Sequence, residues 1–213
     1  PRPLDQAKEK LGIPPHHQMI LFAGRIEPLK GIDTLLQAIA LLHQENKNLF
    51  NDVCVCIIGG DPQETDPTTE MSRLQQLRQQ LGLTDLVTFL GAKDQNTLPW
   101  YYSAATMVIM PSHYESFGLV ALEAMSSGTP VIASAVGGLS FLIQDKQTGY
   151  LIPSRNPTAL AQKIKRLLDD PTTRQQLATG ARNYTAQYDW PLIIKQLRQI
   201  YQQAIDHTIS DGS

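Results

Sequence analysis

Two glutamates with seven residues between them, Glu115 and Glu123, enclose the segment E-S-F-G-L-V-A-L-E. Ionised carboxylates only accept hydrogen bonds, so a pair of them suits a ligand rich in hydroxyls. Between them lies Gly118, whose missing side chain would let a ligand approach the free amides of a helix start, a ready anion site. Hydroxyl acceptors beside an anion-binding helix start suit one ligand carrying both hydroxyls and phosphates, as a nucleotide sugar does. Earlier in the chain, Arg25 and Lys30 frame the turn R-I-E-P-L-K-G. Arg presents a fork matched to phosphate oxygens, and Lys a mobile point charge. Held near Gly118, the two cations would stabilise charge building on a departing diphosphate. Glu27 stands between them and could pair with either.

The elements that must position these groups follow from the apolar pattern. M-V-I-M (107–110) reads as a short buried strand, stopped by Pro111, and the loop 111–117 leads into a helix from Gly118 to about Ser127. Leu119, Leu122 and Met125 recur at helical steps, Val120 and Ala121 widen that face, and Gly128 suits a left-handed C-terminal cap. M-I-L-F-A-G forms an earlier strand ending at Gly24, followed by the Arg25–Lys30 turn and a helix from Asp33, a plausible N-cap, to about Asn46. Its apolar face is Leu35, Leu36, Ile39, Ala40 and Leu42. Further strands are read at V-C-V-C-I-I, V-T-F-L-G-A, T-P-V-I-A-S-A and G-Y-L-I-P. Helices are read at 4–11, about 70–81, 98–105, 158–168, 171 to about 188, and 190 to about 206. Leu192, Ile193, Leu197, Ile200 and Tyr201 form the apolar side of the last.

Six strands alternating with helices predict an α/β fold, a doubly wound, Rossmann-like parallel sheet with helices on both faces. All loops that follow strands then lie on one sheet edge. Arg25 and Lys30, Gly59-Gly60, Gly91 to Lys93, Pro111 to Gly118, and Gly137-Gly138 therefore converge on one crevice. Ligands bind outside that edge, at the topological switch point. Residues 1–18 read as a lead-in with a short helix, 19–206 as the domain and 207–213 as a tail.

Composition narrows the function classes. The 213 residues are 42% apolar with a formal net charge of −2 and no long run of like charge, which gives a nucleic-acid surface no support. No apolar stretch approaches the roughly 18 residues of a membrane span, and no signal peptide is read. Cys54 and Cys56 fall on one face of a strand, poorly placed to bond each other, and read as reduced core residues of a cytoplasmic protein. His16 and His17 read as an exposed loop pair without a third metal ligand nearby. Asp61, Glu64 and Asp66, spaced unevenly among prolines, read as a solvated loop. No metal site is expected.

The segment E-S-F-G-L-V-A-L-E, with its P-S-H-Y lead-in, resembles the E-x7-E motif of family 4 retaining glycosyltransferases, which have the GT-B fold. The resemblance spans Met19 to Tyr201 and implies the C-terminal, donor-binding half of that fold. It implies that Glu115 holds hydroxyls of the donor sugar, Glu123 the ribose hydroxyls, and the amides of Gly118 and Leu119 the diphosphate. Arg25 and Lys30, as R-x4-K, are implied at the donor phosphates. Ser116, Phe117 and Val120 complete the donor-binding loop. Lys93 aligns with a position flanking the nucleobase, where a solvated lysine is an equal alternative. Glu115, Arg25 and Lys30 are the candidate catalytic residues, with Glu115 supporting the sugar rather than attacking it. The family implies no cofactor and no catalytic metal. The acceptor, a sugar or sugar-phosphate-like molecule, would be held by an N-terminal domain outside these residues, so that this fragment alone is expected to be inactive. E-S-F-G together with V-G-G-L looks most like the sucrose-phosphate synthase and inositol-phosphate N-acetylglucosaminyltransferase branch, which uses UDP-sugars such as UDP-glucose.

Other readings carry less. A dehydrogenase-type domain would show G-x-G-x-x-G after the first strand, where A-G-R-I-E-P has a single glycine. A nucleotide-sugar epimerase of the same fold, or a non-catalytic nucleotide-sugar-binding module, are the alternatives. His113 reads as a histidine that shapes its loop. Gly60 fits either a base pocket or an ordinary strand end. Gly137-Gly138 would either pass close to the sugar or begin a helix.

Overall fold

The computed structural model describes residues 2–210, with side chains described through residue 203. Six strands form one parallel sheet: β1 (Gln18–Ala23), β2 (Val53–Ile58), β3 (Val87–Gly91), β4 (Met107–Met110), β5 (Val131–Ser134) and β6 (Gly149–Ile152). Their order is β3-β2-β1-β4-β5-β6, so the chain winds outward from β1 in one direction and from β4 in the other. The expected doubly wound α/β sheet is thus present. β1 pairs with β4 through Ile20 opposite Met107 and Leu21 opposite Val108. This is the switch point.

Strand alternation distributes the core between two faces. Ile20 and Phe22 of β1 join Val55, Ile57, Ile109 and Ile132 beneath α2 (Ile32–Glu45), α3 (Glu70–Gln80) and α7 (Pro157–Asp169). Met19 and Leu21 point the other way, toward α1 (Leu4–Leu11), α4 (Leu98–Ala104), α5 (Leu119–Ser126), α6 (Leu139–Leu142) and α8 (Pro171–Thr185). Leu35, Leu36, Ile39, Ala40 and Leu42 are all buried, as the periodicity of α2 required. Cys54 and Cys56 are free and half-buried on a single face of β2.

Four expectations need correction. The N-cap of α2 is Gly31 in a left-handed conformation, not Asp33, because Gly31 also closes the 3-10 turn Pro28–Lys30. The buried stripe of α5 is Ala121, Ala124 and Met125, and Leu119 is 64% exposed. The segment ahead of Met19 is more than a lead-in, since α1 packs on α4 and buries Ala7 completely. The last helix, α9 (Trp190–Ser210), runs past the expected start of a tail at 207, and residues 211–213 lie outside the described residues. Its apolar side is not covered: Leu192, Leu197, Ile200 and Tyr201 are all exposed. Among the described residues no helix is long and apolar enough to cross a membrane.

Candidate functional site

At the carboxyl ends of β1 and β4, two loops are locked together through their backbones. His113 N donates to the carbonyl of Leu29 at 2.8 Å. Gly31 has φ +65°, and a Cβ there would lie 2.1 Å from the Pro111 carbonyl and 3.1 Å from His113 Nε2. Only glycine meets both demands, a left-handed backbone and this close approach. The His113 side chain lies against this contact, its Nε2 buried without a hydrogen-bond partner among the described residues. The consequence of the contact is to bring Lys30, the last residue of the 3-10 turn, to the β4 loop, where its Nζ lies 2.7 Å from Glu115 Oε2. Both side chains are mostly buried, at 19% and 13% exposure. Arg25 leans outward instead, 76% exposed, with Nη1 2.7 Å from Glu27 Oε1.

The same β4 loop is clamped from its other side by Gly137 and Gly138. Gly138 N donates to the Glu115 carbonyl at 2.9 Å. A Cβ on Gly137 would sit 2.0 Å from that carbonyl oxygen, and one on Gly138 would sit 2.4 Å from the Ser116 carbonyl oxygen. Of the two functions left open for V-G-G-L, the helix start is present, since Gly138 is the N-cap of α6, and the pair also grips the backbone of Glu115 to Phe117. Gly60 packs tightly too, since a Cβ there would meet Ile26 and Met71 side chains at 2.8 Å.

Gly118 caps α5 at φ 96°, and no side chain caps that end. The first-turn amides of α5 therefore keep unpaired donors and the positive end of the helix dipole. Its absent Cβ also makes room for Leu139, whose Cδ2 would otherwise stand 2.7 Å away.

These groups line one cavity of about 270 Å³. Arg25, Lys30, Glu115, Ser116, Phe117, Gly118, Leu119 and Val120 all contribute to its walls, with Phe22 and Met110 at its base. A larger cavity of about 1100 Å³ opens at the opposite sheet edge, beside Gln18, Thr106 and Pro130, and none of the anticipated residues lines it. Ligands of doubly wound sheets bind at the carboxyl edge, so the smaller cavity is the candidate. His16 and His17 also lie at the far edge. They do have a third potential ligand, contrary to expectation: Asp52 Oδ1 stands 3.5 and 3.9 Å from their Nε2 atoms, in a largely exposed group.

The family model for "Glycosyl transferases group 1" matches residues 5–184. The chain belongs to this family. A D-inositol 3-phosphate glycosyltransferase of Thermomonospora curvata is 40% identical over 202 residues, covering 95% of this chain and 46% of the relative. Sucrose-phosphate synthase (tll1590) from Thermosynechococcus elongatus superposes with a TM-score of 0.84 at 40% identity, covering 96% of this chain and 50% of that one. Alr3699/HepE of Anabaena, solved in complex with UDP, superposes with a TM-score of 0.82 at 25% identity, covering 94% of this chain and 52% of that one. The group 1 glycosyltransferase domain thus spans about half the length of the proteins it matches.

Two anticipated site residues lie outside the wall of this candidate cavity. Lys93 is half-buried, two residues beyond the end of β3. Glu123 occupies an exposed position one turn further along α5 than Leu119. Its Oε2 accepts a hydrogen bond from the hydroxyl of Tyr102 at 2.8 Å. Burial, and then the Glu123 carboxylate, push the Tyr102 hydroxyl well above the usual tyrosine range, so it remains a donor at neutral pH. The sequence reading missed Tyr102. In W-Y-Y-S-A-A it looks like any core aromatic, and its partner lies 21 positions away.

Proposed function

We propose that this domain binds a nucleoside diphosphate sugar, a UDP-sugar such as UDP-glucose, as the donor half of a retaining glycosyltransferase. The carrying observation is the Lys30–Glu115 pair beside the uncapped start of α5. A cation, a carboxylate and free amides meet there within one cavity, matching the phosphates and hydroxyls of such a donor. The complexes of Alr3699/HepE with UDP and with UDP-glucose support this reading.

In this account the diphosphate sits against the amides of Gly118 and Leu119, with Ser116, Phe117 and Val120 around it. Lys30 exchanges Glu115 for a phosphate oxygen when donor binds. Glu115, released, accepts hydroxyls of the hexose, while Glu123 accepts those of the ribose and Lys93 flanks the base. Arg25 swings from Glu27 toward the outer phosphate. As the glycosidic bond breaks, charge collects on the leaving phosphate, and fixed groups aimed at it are worth more than water because they need no reorganisation. Lys30, Arg25 and the α5 amides take up this charge, and no cofactor or metal is assigned to the step. The acceptor hydroxyl attacks the anomeric carbon from the face that the nucleoside diphosphate leaves, giving its proton to that departing phosphate, so the anomeric configuration is kept. A sugar or sugar-phosphate acceptor is held by the other half of the GT-B fold.

Calorimetric titration with UDP-, GDP- and ADP-glucose tests the reading. UDP-glucose is expected to bind most tightly, in the micromolar-to-millimolar range. Indifference to all three would overturn it.

A further inference from the structure

We propose that Tyr102 is a positioning residue for donor binding, its buried hydroxyl holding the Glu123 carboxylate in the orientation that receives the ribose diol. The inference rests on the proposed role of Glu123 and adds a residue that the family motif does not contain. Tyr102 is 2% exposed, so its ring cannot move without opening the core. Its carbonyl accepts from Thr129 Oγ1 at 2.6 Å, which ties the end of α4 to the loop after α5. The hydroxyl is thereby a fixed point, and Glu123 Oε2 lies 2.8 Å from it. An exposed glutamate on a helix otherwise samples several rotamers. Anchored at Oε2, it presents Oε1, which has no partner among the described residues. Two vicinal hydroxyls need an acceptor whose position is set before they arrive, since any ordering on binding subtracts from affinity. The raised pKa of the Tyr102 hydroxyl, caused first by burial, keeps this anchor protonated at neutral pH.

The test compares UDP with 2′,3′-dideoxy-UDP by calorimetry, in wild type, Tyr102→Phe, Glu123→Gln and the double variant. Tyr102→Phe removes only the hydroxyl, and it should weaken UDP about three- to tenfold, the range of one neutral hydrogen bond. The dideoxy nucleotide should bind wild type and Tyr102→Phe alike, because it has no diol to receive. In the Glu123→Gln background, Tyr102→Phe should cost less than it does alone. Equal losses for both nucleotides would make Tyr102 merely structural and overturn the proposal. A Glu123→Gln protein that loses UDP affinity while Tyr102→Phe keeps it would overturn the proposal and leave the role of Glu123 intact. If Glu123→Gln itself binds UDP normally, the underlying reading fails. Should Tyr102→Phe not fold, Glu123→Asp serves instead. It retains the charge but withdraws the carboxylate from the hydroxyl, and it should lose UDP affinity selectively over the dideoxy form. Unchanged selectivity there would contradict positioning.

Discussion

Lys30 and Glu115 neutralise each other across the mouth of the cavity, which makes Glu115 a competitor for the cation that a diphosphate needs. Lys30→Ala should therefore weaken UDP by roughly 1.5–3 kcal/mol, the worth of a charge-assisted hydrogen bond. Glu115→Gln should leave UDP at least as tightly bound, because Lys30 is freed, while weakening the intact sugar nucleotide. Calorimetry with the two ligands checks both, and parallel losses in Glu115→Gln would show the assignment to be wrong. The types of these residues, and the sheet edge they share, could be read directly from the sequence, because a parallel sheet fixes where post-strand loops go. Partnerships could not. Whether Glu27 pairs Arg25 or Lys30, and whether His16 and His17 have an acid nearby, depends on side-chain reach across separate elements. Asp52 and Tyr102 escaped for that reason.

At the scale of elements, glycines set the site more than the charged residues do. Gly31 joins the β1 and β4 loops, and Gly137-Gly138 grip the backbone that carries Glu115. Gly138→Ala would force its Cβ into the Ser116 carbonyl and Phe117 Cα, at 2.4 and 2.6 Å, with no flexible side chain to yield. It should lower stability by about 1–3 kcal/mol, as overpacking does, and reduce donor affinity with it. Thermal melting and UDP titration measure the two effects, and normal values of both would show that the clamp is dispensable. Strands were legible because buried parallel strands are short apolar runs closed by glycine or proline. Helix starts were less so. Asp33 resembled an N-cap, but Gly31 already provides the turn, and Asp33 instead accepts from Thr34 N at 2.8 Å. Leu119 fitted the apolar period of α5 yet lies at the helix's cavity end, where a hydrophobic side chain serves the pocket rather than the core.

For the whole molecule, the domain carries the candidate donor groups and covers only about half of each relative it matches. The exposed side of α9, with Leu197 at 44%, Ile200 at 59% and Tyr201 at 65%, is larger than scattered surface residues explain. The 213-residue chain should bind donor and yet transfer no sugar, since transfer requires an acceptor held at about 3–3.5 Å and a cleft closed to water. A radiolabelled-donor assay would detect any turnover, and rates typical of an enzyme would mean that the acceptor is also held here. The most direct measurement is a crystal structure of this chain with UDP. The diphosphate should lie against the amides of Gly118 and Leu119, with Lys30 Nζ turned from Glu115 to a phosphate oxygen and the ribose hydroxyls at Glu123. UDP found in the large cavity at the opposite sheet edge, or Lys30 still paired with Glu115 in the complex, would contradict the account.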